Sequence, residues 1–206
     1  MPSPRWDADL LRATTVERLS AGWRSATPFP HLVWDEVLAQ EALEALVPVL
    51  DEEPVDAYEG DIFAFEATAP EPRTAELRAL RDDFAASLAP VMARITGTAV
   101  TRADLRAYAY REGHYLLPHT DHQQDLARAL AYAYYLPSPE PPRGGELELF
   151  RCTIDGAGAV IATDSARVIE PRPNRLVVFE VSDASLHQVR EVVSGLRMSL
   201  AGWFYP

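Results

Sequence analysis

The sequence contains no lysine; all 19 of its basic residues are arginine. With the abundance of Ala and Leu, that absence reads as a compositional bias rather than a functional trait. There is a single cysteine, Cys152, so no internal disulfide framework can form, and a reducing, cytoplasmic setting is the simplest expectation. No stretch approaches the roughly 18 consecutive apolar residues that a membrane-crossing helix needs. The N-terminal MPSPRWDADLLRATTVERL lacks a positive region followed by an apolar run, so it does not read as a secretion signal. A positive balance is also missing. The net charge is -12, which repels phosphate backbones, so neither nucleic acid nor a membrane is expected as a partner. An acidic surface serves solubility first, and would suit a basic protein or peptide second.

What is present is enough for one domain. The 206 residues are 48% hydrophobic and can close a sizeable core, with no repeat and no linker between halves. Residues 1–206 read as a single unit with a helical part, about 1–97, and a β part, about 104–206. Apolar residues at helical spacing predict helices over 8–21, 36–50 and 73–96, with Asp35 as a cap for the second. Pro90 should kink or split the third, and Gly97 should end it. His31-Leu32-Val33-Trp34 reads as a short strand in which His31 packs rather than binds. The acidic 51–72 segment contains one strand candidate, Tyr58 to Phe65. After Gly97 the period changes to two. Strands are expected at 104–111, 129–136, 146–151, 158–162, 166–169, 175–181, 185–192 and 197–204, which implies a sandwich or barrel covered on one face by the helices.

The chemistry concentrates in Tyr110 to Asp121, YREGHYLLPHTD. If its end is extended, His119 and Asp121 point to the same side. An imidazole nitrogen and a carboxylate oxygen can then meet one metal ion. A distant histidine, His187, sits in FEVSDASLHQVR (Phe179 to Arg190). Two histidines and one carboxylate are the facial triad of non-haem Fe(II) oxygenases, which leaves metal positions open for substrate and oxygen. Arg197 follows, in Arg197-Met198-Ser199. Its guanidinium fork can hold a carboxylate, and Ser199 can add a hydroxyl donor. His122, one residue past Asp121, should face away. His114 reads as a loop residue beside Gly113, Gly144-Gly145 as a turn or bulge, and Cys152 as a small apolar filler.

The runs GGELELF (Gly144 to Phe150), NRLVVFEVSDASLHQVREV (Asn174 to Val192) and RMSLAGWF (Arg197 to Phe204) resemble the 2-oxoglutarate- and Fe(II)-dependent dioxygenases of the prolyl hydroxylase class. They are most like the catalytic domain of the prolyl 3-hydroxylases that modify a ribosomal protein. PFPHLVWDEVL (Pro28 to Leu38) and DIFAFEAT (Asp61 to Thr68) resemble that class less sharply. The resemblance implies a mainly β fold with flanking helices: a double-stranded β-helix, or cupin-like jelly roll, covered by the N-terminal helices. It implies iron bound by His119, Asp121 and His187, with 2-oxoglutarate and O2 as cosubstrates and ascorbate as an accessory reductant. Arg197 would hold the distal carboxylate of 2-oxoglutarate and Ser199 would assist. Tyr110 and Tyr135 would contact the same cosubstrate, Leu147 and Trp203 would wall its pocket, and Arg128 would lie near the substrate. The reaction implied is hydroxylation of an unactivated C–H of a prolyl residue in a protein or peptide, with release of succinate and CO2.

The ribosomal-protein hydroxylases carry a second, non-catalytic barrel, whereas this chain stops at Pro206. Their substrate is therefore not carried over. A free amino acid or a natural-product intermediate is the alternative substrate. A non-catalytic cupin-like binding module is the alternative of another class, and failure to bind Fe(II) would favour it.

Overall fold

The structure is a computed structural model that describes Trp6 and residues 13–206. Three helices pack on a curled antiparallel sheet. The first, α1 (Ala13–Ser25), covers the second part of the helix expected over 8–21. The first part, with Leu10 and Leu11, lies outside the described residues. The second, α2, runs from Gln40 to Asp51 and begins four residues later than expected. Glu36 takes a positive φ of 58°, and the following turn buries Val37 and Leu38. Asn174 holds this turn, since its Oδ1 accepts from Leu38 N and its Nδ2 donates to Leu38 O. Asp35 therefore does not cap α2, whose cap position is Ala39 without a side-chain bond. Asp35 instead takes Arg175 in a two-pronged pair at 2.6 and 3.0 Å.

The third helix, α3 (Ala75–Thr96), is continuous. Thr74 caps it by accepting from Leu77 N, and Gly97 ends it in the left-handed conformation that glycine adopts at no steric cost. Pro90 does not split it. Pro90 and Ala86, whose carbonyl loses its helical donor, both lie on the exposed face, so that carbonyl can turn to water. The opposite stripe, Leu77, Leu80, Phe84, Leu88, Met92 and Ile95, is buried and anchors the helix.

The strands are β1 (His31–Asp35), β2 (Val55–Gly60), β3 (Phe63–Thr68), β4 (Arg102–Ala103), β5 (Arg106–Tyr110), β6 (Tyr115–His119), β7 (Leu130–Tyr135), β8 (Arg143–Gly144), β9 (Leu147–Ile154), β10 (Val160–Ile169), β11 (Arg175–Glu180), β12 (His187–Val189), β13 (Val192–Ser194) and β14 (Arg197–Tyr205). Hydrogen bonding orders them β1-β11-β7-β14-β5-β3-β6-β12-β9-β10, with β2 added to β3 and β4 to β14. The sheet curls so that β6, β12 and β9 form one wall and β7, β14 and β5 the other, which is the double-stranded β-helix.

Three expected elements divide differently. The single strand at Tyr58 to Phe65 is the β2–β3 hairpin, turning at Asp61 and Ile62. The strands expected at 158–162 and 166–169 are one strand, β10, bent by irregularities at Val160/Ala162 and Ser165/Arg167. The strand expected over 185–192 is β12, then β13, which leaves the main sheet to pair with β8.

Alternation along the central strands divides two cores. On β7 and β11, Leu130, Tyr132, Tyr134, Leu176 and Val178 face the helices, where Trp6 packs edge-on to Phe84 and Tyr134. Ala131, Ala133, Tyr135, Val177 and Phe179 face the barrel interior with Leu147, Leu149 and Ile169. Strands buried on both faces read as continuous apolar runs, as LAYAYY and RLVVFE do.

Candidate active site

The barrel interior opens into a cavity of about 410 Å³ between the two walls. His119 ends β6 and His187 begins β12, and the two are direct cross-strand partners. Their rings are 4.3 Å apart, centroid to centroid. Asp121 lies just past β6, with Oδ1 3.8 Å from His119 Nε2 and Oδ2 3.5 Å from His187 Nε2. One donor atom from each of the three lies within 4.8 Å of the others. The separations are too long for hydrogen bonds. Both histidines use Nδ1 on a backbone carbonyl, His119 on Leu117 at 2.8 Å and His187 on Ser185 at 2.9 Å. A carbonyl only accepts, so each Nδ1 carries the proton and each Nε2 keeps a lone pair for a ligand. Burial, with His119 adding to it, pushes the pKa of His187 down to about 4 against the pull of Asp121. His187 is neutral at physiological pH, as a metal ligand must be. The donor set therefore fits a divalent first-row ion.

A buried cation stands in the same cavity. Arg197 is 3% exposed and begins β14. Its guanidinium carbon lies 4.8 Å from the Tyr110 ring centre and 5.0 Å from that of Tyr135. Its Nη1 donates to Ser199 Oγ at 3.3 Å. Among the described residues no carboxylate pairs with it, and its Nε and the Tyr135 hydroxyl are both buried without a partner. A buried cation without a counterion is costly, and two aromatic faces offset only part of that cost. The arrangement fits the carboxylate of a bound dicarboxylic acid. Gly145 makes room for it: a Cβ there would lie 2.9 Å from Arg197 Cδ.

The other expected residues fall as follows. Tyr110, Leu147, Ser199, Trp203 and Arg128 all line the cavity. Tyr135 does not line it and contacts it through Arg197. Arg128 lies over the Trp203 ring at 3.5 Å, and its Nη1 donates to the Asp121 carbonyl at 3.3 Å. His122 points away to Asp183, with Nδ1 to Oδ1 at 2.5 Å. His31 is buried, donates to the Phe29 carbonyl, faces Arg167 Nη1 across 2.7 Å, and does not line the cavity. His114 sits in the turn between β5 and β6, and Cys152 is a half-buried residue of β9.

Some lining residues were not read from the sequence. Arg106 and Tyr108 share the Tyr110 face of β5, and Ile62, Phe63 and Phe65 come from the β2–β3 hairpin. The first two had a signal: in a strand, positions 106, 108 and 110 lie on one side. The hairpin residues had none, because nothing local pairs β3 with both β5 and β6.

The sequence model of the 2OG-Fe(II) oxygenase superfamily matches residues 105–205. The chain is similar to prolyl 3-hydroxylase OGFOD1 of Mus musculus, 29% identical over 96% of this chain and 38% of that protein. The chain thus spans little more than a third of the length of the curated relatives it matches. A solved Pseudomonas putida prolyl-4-hydroxylase superposes with a TM-score of 0.66 at 22% identity, covering 91% of this chain and 98% of that one. A Trichoplax adhaerens prolyl hydroxylase, solved with a hypoxia inducible factor peptide fragment, gives 0.68 at 16% identity, covering 96% of each chain. These two likenesses show a shared fold. Residues 105–205 thus carry a domain of the 2OG-Fe(II) oxygenase superfamily.

Proposed function

We propose that this protein is an Fe(II)- and 2-oxoglutarate-dependent dioxygenase that hydroxylates an unactivated C–H of a prolyl residue in a protein or peptide. The observation that carries the reading is the meeting, in one cavity, of the His119–Asp121–His187 cluster and the buried Arg197, which has no carboxylate partner among the described residues. His119 and His187 would hold iron through Nε2, and Asp121 through its carboxylate. When bound, iron and 2-oxoglutarate supply the oxidising power: O2 and 2-oxoglutarate are consumed to succinate and CO2 as one oxygen atom enters the C–H bond.

The remaining work belongs to the chain. Arg197 takes the distal carboxylate of 2-oxoglutarate with its fork, the Ser199 hydroxyl adds a donor beside it, and the Tyr135 ring backs the guanidinium from outside the cavity. Tyr110 stacks on the guanidinium and keeps it in one orientation. Leu147 and Trp203 wall the cosubstrate from water. Arg128 steadies Asp121 through its carbonyl and faces the substrate side. Phe63, Phe65 and Tyr108 form an aromatic rim suited to an apolar ring such as proline's. The relatives named for prolyl hydroxylation support that substrate. An Fe(II) site and a lone free cysteine suit a reducing compartment such as the cytoplasm.

The cavity volume supports a second substrate reading, since about 410 Å³ lies within the range of small-molecule sites. That reading is a free amino acid or natural-product intermediate.

The test is 2-oxoglutarate turnover with Fe(II), O2 and ascorbate against prolyl peptides and free amino acids, read as succinate and as a one-oxygen mass gain. Both signals should vanish in a His119→Ala variant. Succinate with no oxidised peptide, but with oxidised amino acid, would move the proposal to the small-molecule substrate. No succinate with any substrate would remove it.

A further inference from the structure

The cavity holds more positive charge than iron and 2-oxoglutarate can use. Among the described residues three arginines line it, Arg106, Arg128 and Arg197, and Asp121 is the one carboxylate. A divalent cation and a dianionic cosubstrate cancel each other. Asp121 offsets one arginine, which leaves a surplus of two in a chain whose net charge is -12. Asp104, on the β4–β5 connection, does not line the cavity, but its carboxylate acts on Arg128 and offsets part of that surplus, which leaves Arg106.

Arg106 is the one of the three that the iron and 2-oxoglutarate reading leaves without a role. Its Nε donates to the Thr68 carbonyl at 2.8 Å, which ties β5 to the end of β3. Its guanidinium lies 5.0 Å from the Tyr58 ring centre and 5.2 Å from that of Tyr108. The Nη2 is buried with no hydrogen-bond partner, and no carboxylate forms an ion pair with it among the described residues. Tying the strands needs only Nε. An arginine held in place at Nε, stacked on aromatics and left with a buried free donor at a cavity wall is preorganised for an anion. It shares a strand face with Tyr110 but lies four residues nearer the β3 end, so it stands apart from Arg197.

We infer that the substrate presents a carboxylate to Arg106, with Arg128 supporting it from the Trp203 side. Two sources share this chemistry. One is an Asp or Glu side chain, or a C-terminus, next to the target residue of a peptide. The other is the α-carboxylate of a free amino acid. The inference rests on the proposed reading of the site and names its substrate class.

The experiment compares matched substrates: prolyl peptides with Glu or Gln beside proline, peptides with a free or amidated C-terminus, and proline or its amide. Two quantities are read for each pair. One is KM in the turnover assay. The other is affinity by fluorescence anisotropy or calorimetry, with Mn(II) in place of iron and 2-oxoglutarate bound. In the native protein the carboxylate member of at least one pair should bind and react at least about tenfold better, the loss expected when a charge-assisted pair is removed. The pair showing the preference identifies the source. In Arg106→Gln the ratio should fall toward one, and Arg106→Lys should restore part of it.

Equal values for all acid and amide pairs in the native protein would overturn the inference, and that result does not depend on a variant folding. A preference that persists in Arg106→Gln would also overturn it, as would a rise in KM for 2-oxoglutarate with the ratio unchanged. Succinate formation without any prime substrate reports the iron and 2-oxoglutarate reading alone. Succinate formed with any of these substrates but with no carboxylate preference sinks only the inference, and no succinate with any substrate sinks the reading beneath it.

Discussion

His119 and His187 face each other across β6 and β12, and each donates its Nδ1 proton to the carbonyl two residues before it. The strand pairing sets the distance between the rings, and the two carbonyl bonds set which nitrogen each ring offers. Removing a ligand should therefore abolish metal binding without unfolding the barrel. His119→Ala, at the half-exposed end of β6, should lose at least about 100-fold in Fe(II) or Mn(II) affinity by anaerobic calorimetry, since even partners one bond removed from the metal cost 10–100-fold. Unaltered affinity would place the ion elsewhere.

Arg197 makes a second expectation. Its guanidinium is buried between Tyr110 and Tyr135 and pairs with no carboxylate among the described residues. If the cosubstrate carboxylate completes it, Arg197→Gln should raise KM for 2-oxoglutarate by roughly 100-fold. That corresponds to about 3 kcal/mol, the upper range for a hydrogen-bonded charge. Arg197→Lys should recover little, because an ammonium cannot reproduce the fork. A KM for 2-oxoglutarate that these changes leave alone would assign the cosubstrate to another residue.

Gly145 links a backbone constraint to the same step. It has φ of +71°, and a Cβ there would press on Arg197 Cδ and Val192 Cγ2, each 2.9 Å away. Gly145→Ala should shift the guanidinium and raise KM for 2-oxoglutarate about tenfold, with a stability loss of about 1–3 kcal/mol from the strained backbone and the overpacking. A stability loss with KM unchanged would make Gly145 a purely structural residue.

The readable part of the site was the part that sequence spacing encodes. His119 and Asp121 are two apart, and Arg197 and Ser199 alternate on one strand face, so each pair could be placed from periodicity. The cross-strand pairing of β12 with β6 could not, because it joins segments nearly seventy residues apart in the chain. Tyr115 to His119 did not read as a strand, since YLLPH contains a proline and no alternation. Pro90 misled because propensity treats a helix in isolation, whereas the exposed face tolerates the missing donor. Asp35 misled for a related reason: it is close to a helix in sequence, but its partner, Arg175, comes from a strand across β1. Arg106 was legible in principle, two positions at a time from Tyr110, yet nothing local shows that its free donor meets a cavity.

Glu148 yields a pH prediction. It is 3% exposed on β9 and accepts from Arg190 Nε at 2.7 Å and Nη2 at 2.9 Å, from Gln188 Nε2 at 2.6 Å, and from Ser165 Oγ. These bonds, those of Arg190 above all, pull its pKa from the usual 4.5 down to about 2. A carboxylate with a depressed folded pKa binds fewer protons when folded than when unfolded. Its contribution is complete above about pH 4.5 and is lost as pH falls from there through about 2. With Arg190 partly exposed, that contribution is about 2 kcal/mol, or roughly 5 °C in Tm for a chain of this length. Glu148→Gln should therefore lower Tm by about that amount at pH 7, with the gap closing steadily below pH 4.5. Asp35 and Glu53 also have lowered pKa values, but they titrate in both proteins and cancel from the difference. A gap that stays constant from pH 7 to pH 2.5 would mean that packing, not charge, is what Glu148 contributes. The network spans β9, β10 and β12, the strand that carries His187. The same substitution should then weaken Mn(II) binding at pH 7 by a few-fold, which separates loss of ligand positioning from loss of global stability.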